Sequence, residues 1–128
     1  MDQKILNWLN QSIGQTFQPN RPNAKPIKIA KINDKMEYLR LKFVGGSTSL
    51  PLYFWMFNRA FNYIEKNKGR IIRLGAKVKA PFDSDTIEGQ IWLKPYPQPP
   101  NTPFKSASHI CDIPSKCGWR LRIFRLLN

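Results

Sequence analysis

Apolar residues recur along this chain with two different periods, and the switches between them mark the elements it predicts. Over residues 2–13, Ile5, Leu9 and Ile13 fall at i, i+4 and i+8, with Leu6 and Trp8 flanking them. That is the spacing of an amphipathic helix, and Gly14 supplies its stop. Residues 27–32, IKIAKI, and 37–44, EYLRLKFV, alternate instead and predict two strands. In the second strand Leu39, Leu41 and Phe43 face one side, and Tyr38, Arg40, Lys42 and Val44 face the other. Asn33-Asp34-Lys35 between them is turn chemistry, so an antiparallel hairpin is the simplest pairing. Its outer face then carries Lys28, Arg40 and Lys42.

The helical period returns over residues 51–67. Phe54, Phe57, Phe61 and Ile64 sit three, four and three apart, and Trp55, Met56, Ala60 and Tyr63 widen the stripe almost all round. A helix apolar on most sides is a central core helix. Gly45-Gly46-Ser47-Thr48-Ser49 precedes it, with Thr48 or Ser49 as the expected cap and Pro51 in the first turn. Such a turn can also present backbone N–H groups to a phosphate. It lacks both the lysine of a Walker A loop and the spacing of a dinucleotide fingerprint. Gly69 ends the helix.

Residues 70–79, RIIRLGAKVK, alternate again and predict a strand. Ile72, Leu74, Ala76 and Val78 form its apolar face, with Arg73, Lys77 and Lys79 opposite. Residues 81–94 fit either a short helix through Trp92, capped by Ser84 or Asp85, or a strand with Gly89 at a bulge. Residues 104–113 read as a short helix capped by Ser106, with Ile110 and Ile113 inward. After Gly118, Trp119, Leu121 and Ile123 alternate with Arg120, Arg122 and Phe124 in a final ribbon. Two stretches break the pattern: an extended linker over 18–26 and a proline-rich loop over 95–103, with five prolines in nine residues.

These elements predict one α+β domain over residues 1–128, with a small antiparallel sheet packed on a central aromatic-rich helix. A winged helix-turn-helix is the alternative. In that arrangement 105–113 would be the recognition helix and 118–127 the wing. The long proline-rich loop and Pro114 argue against it.

Charge turns this fold expectation toward a function. The chain holds 21 Lys and Arg against 8 Asp and Glu, a net charge of +13. So strong a positive field attracts polyanions. The expected function is non-enzymatic binding of nucleic acid, DNA or RNA, through basic strand faces. Phosphate contacts are expected from Arg70, Arg73, Lys77, Lys79, Arg120, Arg122 and Arg125, together with Lys28, Arg40 and Lys42. The alternative is a basic adaptor subunit that docks on an acidic protein partner, with the proline-rich loop assisting. No run of 18 uncharged apolar residues predicts a membrane span, and MDQKILNWLNQ has no signal-peptide pattern, so a cytoplasmic protein is expected.

Candidate chemistry is sparse. Cys111 and Cys117 have no recognised zinc spacing, and His109 alone does not complete a ligand set with them. Asp83, Asp85 and Glu88 are the foothold for a third reading, a metal-dependent nuclease. Two carboxylates there suit Mg²⁺, but short acid clusters are also common at turns. No cofactor, metal ligand or catalytic residue is assigned from the sequence.

Overall fold

The computed structural model describes residues 3–18, 23, 25–113 and 125–127. The elements in order are helix α1 (Gln3–Gln11), strands β1 (Thr16–Phe17), β2 (Ile27–Asn33), β3 (Tyr38–Phe43) and β4 (Leu52–Tyr53), and helix α2 (Phe54–Lys66). Strand β5 (Ile71–Arg73), helices α3 (Ile87–Trp92) and α4 (Ala107–Asp112) and strand β6 (Arg125–Leu127) follow. The architecture is α+β. β1 to β4 form an antiparallel sheet in sequence order, and β5 pairs with β6 in a separate parallel ribbon.

The aromatic helix α2 is the hub. Phe54, Met56, Phe57, Ala60, Phe61 and Ile64 are buried along it, and it packs against α3, α4 and β4. The inward positions of the hairpin, Ile27, Ile29, Leu39 and Leu41, join the same core, as do Leu9 of α1 and Ile110 and Ile113 at α4. Large side chains buried in this way contribute about 1.5–3 kcal/mol each.

Several local expectations change. Helix α1 stops at Gln11, and Ile13 leaves the apolar stripe to lie half exposed beside Ile29. The side chains of Ile5 and Trp8 lie outside those described, as does most of the linker over 18–26. The glycine-serine turn does not cap α2. It folds back along β3 instead: Thr48 bridges Lys42, Ser49 N–H donates to the Leu41 carbonyl (2.7 Å), and Ser49 Oγ accepts from Leu41 N–H (2.9 Å). β4 then intervenes before α2, whose Phe54 N–H donates to the Glu37 carbonyl (2.8 Å). A serine that satisfies a neighbouring strand is unavailable as a helix cap, and the start of α2 is already supplied with an acceptor.

The predicted strand over 70–79 is also shorter. Only 71–73 are extended in a ladder; Gly75, at φ +73°, turns the chain away. A β-carbon at Gly75 would lie 2.6 Å from Thr86 Oγ1, so backbone and side chain meet there closely. Ile72 and Leu74 are buried as the alternation predicts, whereas Ala76 is exposed.

Of the two options for 81–94, the helix forms. Its cap is Thr86, whose hydroxyl accepts from Gly89 N–H (3.0 Å) and donates to the Asp83 carbonyl (2.9 Å). Gly89 is no bulge residue. A β-carbon there would fall 1.7 Å from the Asp83 carbonyl oxygen, so the preceding loop can pack on α3 only because Gly89 lacks one. Four of the six residues of α4 are buried. The ribbon over 118–127, on which the winged alternative turns, lies outside the described residues except for β6.

Candidate nucleic-acid interface

The outer face of the β2–β3 hairpin gathers four cations, and a one-residue irregularity in β2 creates the arrangement. Strict alternation through IKIAKIN would put Lys28, Ala30 and Ile32 on one face and Lys31 on the other. The register shifts between Ile29 and Lys31, so Ala30 is the extra residue of a β-bulge. Lys28 then pairs with Lys42 and Lys31 with Arg40, while Ile29 still faces Leu41 and Ile32 faces Leu39. Burial agrees, since Ile27 and Ile29 are buried but Ala30 and Lys31 are both exposed.

Lys28, Lys31, Arg40 and Lys42 therefore occupy adjacent cross-strand positions. Directly opposed residues lie about 5 Å apart, and the two pairs are about 7 Å apart along the strands. Those distances are shorter than the Debye length of about 10 Å at 0.1 M salt, so the four act as one field. Among the described residues, none of the four has a carboxylate within ion-pair distance. Arg40 Nη1 donates to the Ser49 carbonyl (3.2 Å), which fixes its direction and leaves its charge unmatched. The nearest acids in sequence, Asp34 and Glu37, sit in the hairpin turn beyond the patch.

Two tyrosines end the patch. Tyr38 and Tyr53 are cross-strand partners, with ring centroids 5.5 Å apart in an edge-on arrangement, and the Arg40 guanidinium lies 5.8 Å from the Tyr38 ring. The Tyr38 hydroxyl is held below its ordinary pKa by its hydrogen bond with Asn33. Burial opposes this, and the charges of Lys31 and Arg40 lower the pKa further. Tyr53 shifts upward, chiefly through burial and then through Tyr38, with Arg40 opposing. Lys31 and Arg40 thus make themselves felt at the same phenol.

The remaining predicted contacts belong to other segments of the chain. Arg70, Arg73, Lys77 and Lys79 are exposed, but the turn at Gly75 separates the first two from the last two. Arg73 lies 3.4 Å from Asp85, and both side chains are more than half exposed, so its charge is partly matched. Arg125 belongs to β6 and pairs with Ile71, which sets that strand beside the Arg70–Arg73 segment. Arg120 and Arg122 lie outside the described residues. Lys31 is the residue that sequence alternation missed, because Ala30 gives no sign that it is an insertion.

Glu88, one of the three acids of the cluster over 83–88, is turned into the interior. Glu88 is 1% exposed, and its two oxygens accept four hydrogen bonds. Oε1 takes Ser106 N–H (2.7 Å) and Ala107 N–H (3.1 Å); Oε2 takes Ser106 Oγ–H (2.9 Å) and Trp92 Nε1–H (3.0 Å). Glu88 thereby satisfies the first N–H groups of α4, the task expected of Ser106. Among the described residues no three His, Cys, Asp or Glu side chains converge as a metal-binding group.

The proline-rich loop is fastened to the domain. Arg59 of α2 donates to the carbonyls of Ile91 (2.9 Å), Lys94 (3.2 Å) and Pro95 (2.7 Å) and lies 4.9 Å over the Trp55 ring. Trp55 stacks on Tyr96 at 5.8 Å, and Tyr96 OH donates to the Asn101 carbonyl (3.0 Å).

Comparison of the chain with protein-family models, with curated proteins and with solved structures gave no match. No helix among the described residues is long and apolar enough to cross a membrane.

Proposed function

We propose that this protein is a cytoplasmic, non-enzymatic nucleic-acid-binding domain that grips the phosphate backbone through the outer face of the β2–β3 hairpin. The observation that carries this reading is the convergence of Lys28, Lys31, Arg40 and Lys42 on one strand pair, with no carboxylate against them among the described residues. Two directly opposed pairs of like charge destabilise an isolated hairpin, and a polyanion relieves both. Tyr38 at the end of the patch adds an aromatic edge beside the cations, as suits contact with bases. Arg70, Lys77, Lys79 and Arg125 contribute to the long-range field that steers the polyanion in.

Four phosphate contacts set the scale of the salt response. Counterion release gives a slope of log K against log salt of about −2.8 for a single strand and about −3.6 for a duplex. Affinity then falls roughly 50- to 150-fold between 50 and 200 mM salt. Fluorescence anisotropy with labelled single- and double-stranded DNA and RNA across that range tests the reading. Binding that stays flat with salt, or no binding to any of the four, refutes it. A pull-down of an acidic protein that survives nuclease treatment would instead favour the adaptor function.

A further inference from the structure

A basic groove lies between α2 and α3. Arg59, Asn62, Tyr63 and Lys66 project from one side of α2, and Gln90 and Lys94 close the groove from α3 and the turn after it. Helical spacing turns this side of α2 away from the buried stripe of Phe57, Ala60, Phe61 and Ile64. The space within it is about 200 Å³, and among the described residues its lining holds three cations and no carboxylate. Drug-sized ligands occupy pockets of about 300–1,000 Å³, so this groove suits one small charged group with the rest of its ligand outside.

The lining is in part fixed in place. Arg59 is held by the carbonyls of Ile91, Lys94 and Pro95 and by the Trp55 face, none of which cancels its charge. Burial lowers its pKa from the ordinary value, yet an arginine stays charged. Gln90 is anchored through Nε2 on the Ser84 carbonyl. Lys66 and Lys94 have no ion pair among the described residues. The Tyr63 hydroxyl has its pKa raised by burial and then by Asp85, so it keeps its proton and remains a donor. Asp85 is itself engaged by Arg73.

We propose that the α2–α3 groove binds a phosphate monoester, with Arg59, Lys66 and Lys94 as the counter-charge and Asn62 and Tyr63 as neutral donors. A monoester carries about −1.5 to −2 charges at neutral pH, which three cations match better than they match a singly charged backbone diester. The site goes beyond the hairpin reading and does not depend on it. Suitable sources are free phosphate and a mononucleotide.

The test is an NMR titration of the full chain with inorganic phosphate, adenosine 5′-monophosphate and adenosine. Phosphate and the monophosphate are expected to shift the side-chain amide resonances of Asn62 and Gln90, whereas adenosine leaves them in place. A tighter dissociation constant for the monophosphate than for phosphate identifies a nucleotide as the source, and equal constants identify free phosphate. Replacing both lysines (Lys66→Gln with Lys94→Gln) should weaken binding at least about tenfold, from the loss of charge-assisted contacts. The single replacements should each weaken it roughly threefold to tenfold, and thermal melts confirm that each variant is folded. Lys28→Gln with Lys42→Gln should leave the titration unchanged while lowering oligonucleotide affinity, which separates the two sites. The proposal is overturned if dissociation constants for both phosphate ligands exceed about 10 mM. It is also overturned if the shifts spread evenly over surface cations, or if the double variant binds like the parent.

Discussion

Lys31→Ala probes the interface at the position that strand alternation assigns to the interior and the bulge turns outward. Lys31 is exposed and opposes Arg40, so removing it costs little stability; surface changes of this kind usually stay within about 0.5 kcal/mol. Relief of the repulsion with Arg40 acts in the stabilising direction. Its effect on binding is much larger. One lost phosphate contact removes about 0.7 from the salt slope on a single strand and about 0.9 on a duplex. The affinity lost is that fraction of a decade per decade of salt below 1 M. It amounts to about fivefold to eightfold at 0.1 M and only about twofold at 0.4 M. Anisotropy titrations of parent and variant at four or five salt concentrations measure both numbers. An unchanged affinity and slope would refute the placement of Lys31 on the binding face. A loss that is the same at every salt concentration would refute phosphate neutralisation as the role of this side chain.

Three further outcomes follow from the same geometry. Lys42→Glu places a carboxylate opposite Lys28, which should raise stability by about 0.2–1 kcal/mol while weakening oligonucleotide binding more than tenfold at 0.1 M salt; a melting temperature that falls contradicts the pairing. Deleting Ala30 leaves Ile27-Lys28-Ile29-Lys31-Ile32 in strict alternation against the same partners, so the variant should fold and keep its salt slope, and loss of binding would contradict the assignment of Ala30 as the inserted residue. Glu88→Gln keeps one acceptor oxygen and turns an amide NH2 toward two of the four donors, at a cost of about 2–3 kcal/mol and a drop in melting temperature on the order of 10 °C, with binding at 25 °C retained; a stability within about 0.5 kcal/mol of the parent would show that the network around α4 is not structural.

The elements legible in the sequence were those with a long, consistent period. The aromatic stripe of α2 and the alternation of Leu39, Leu41 and Phe43 led directly to a buried helix and an antiparallel hairpin, and Asn33-Asp34-Lys35 marked the turn between its strands. What escaped depends on contacts between distant residues or on insertions without chemical character. Ala30 is small and neutral, so nothing marks it as a bulge, and strict alternation would put every later residue of β2 on the wrong face. Ser49 has the chemistry of a helix cap, but the backbone of Leu41, eight residues earlier, takes its hydroxyl. Gly75 resembles a tolerated glycine within a strand until the approach of Thr86 is visible. Glu88 looked like a member of a surface acid cluster, because the N–H groups that bury it come from Ser106 and Ala107, far along the chain. Of the predicted interface, Lys28, Arg40 and Lys42 fall together as the hairpin register implied. The basic run over 70–79 is divided at Gly75.

The location of binding is the central claim, and a backbone amide NMR titration with a short oligonucleotide at 0.1 M salt tests it most directly. The account predicts that the largest shifts fall at Lys28, Lys31, Arg40 and Lys42, with Tyr38 at the edge of the affected surface. It is contradicted if those amides stay in place while the oligonucleotide shifts resonances elsewhere in the domain, or shifts none.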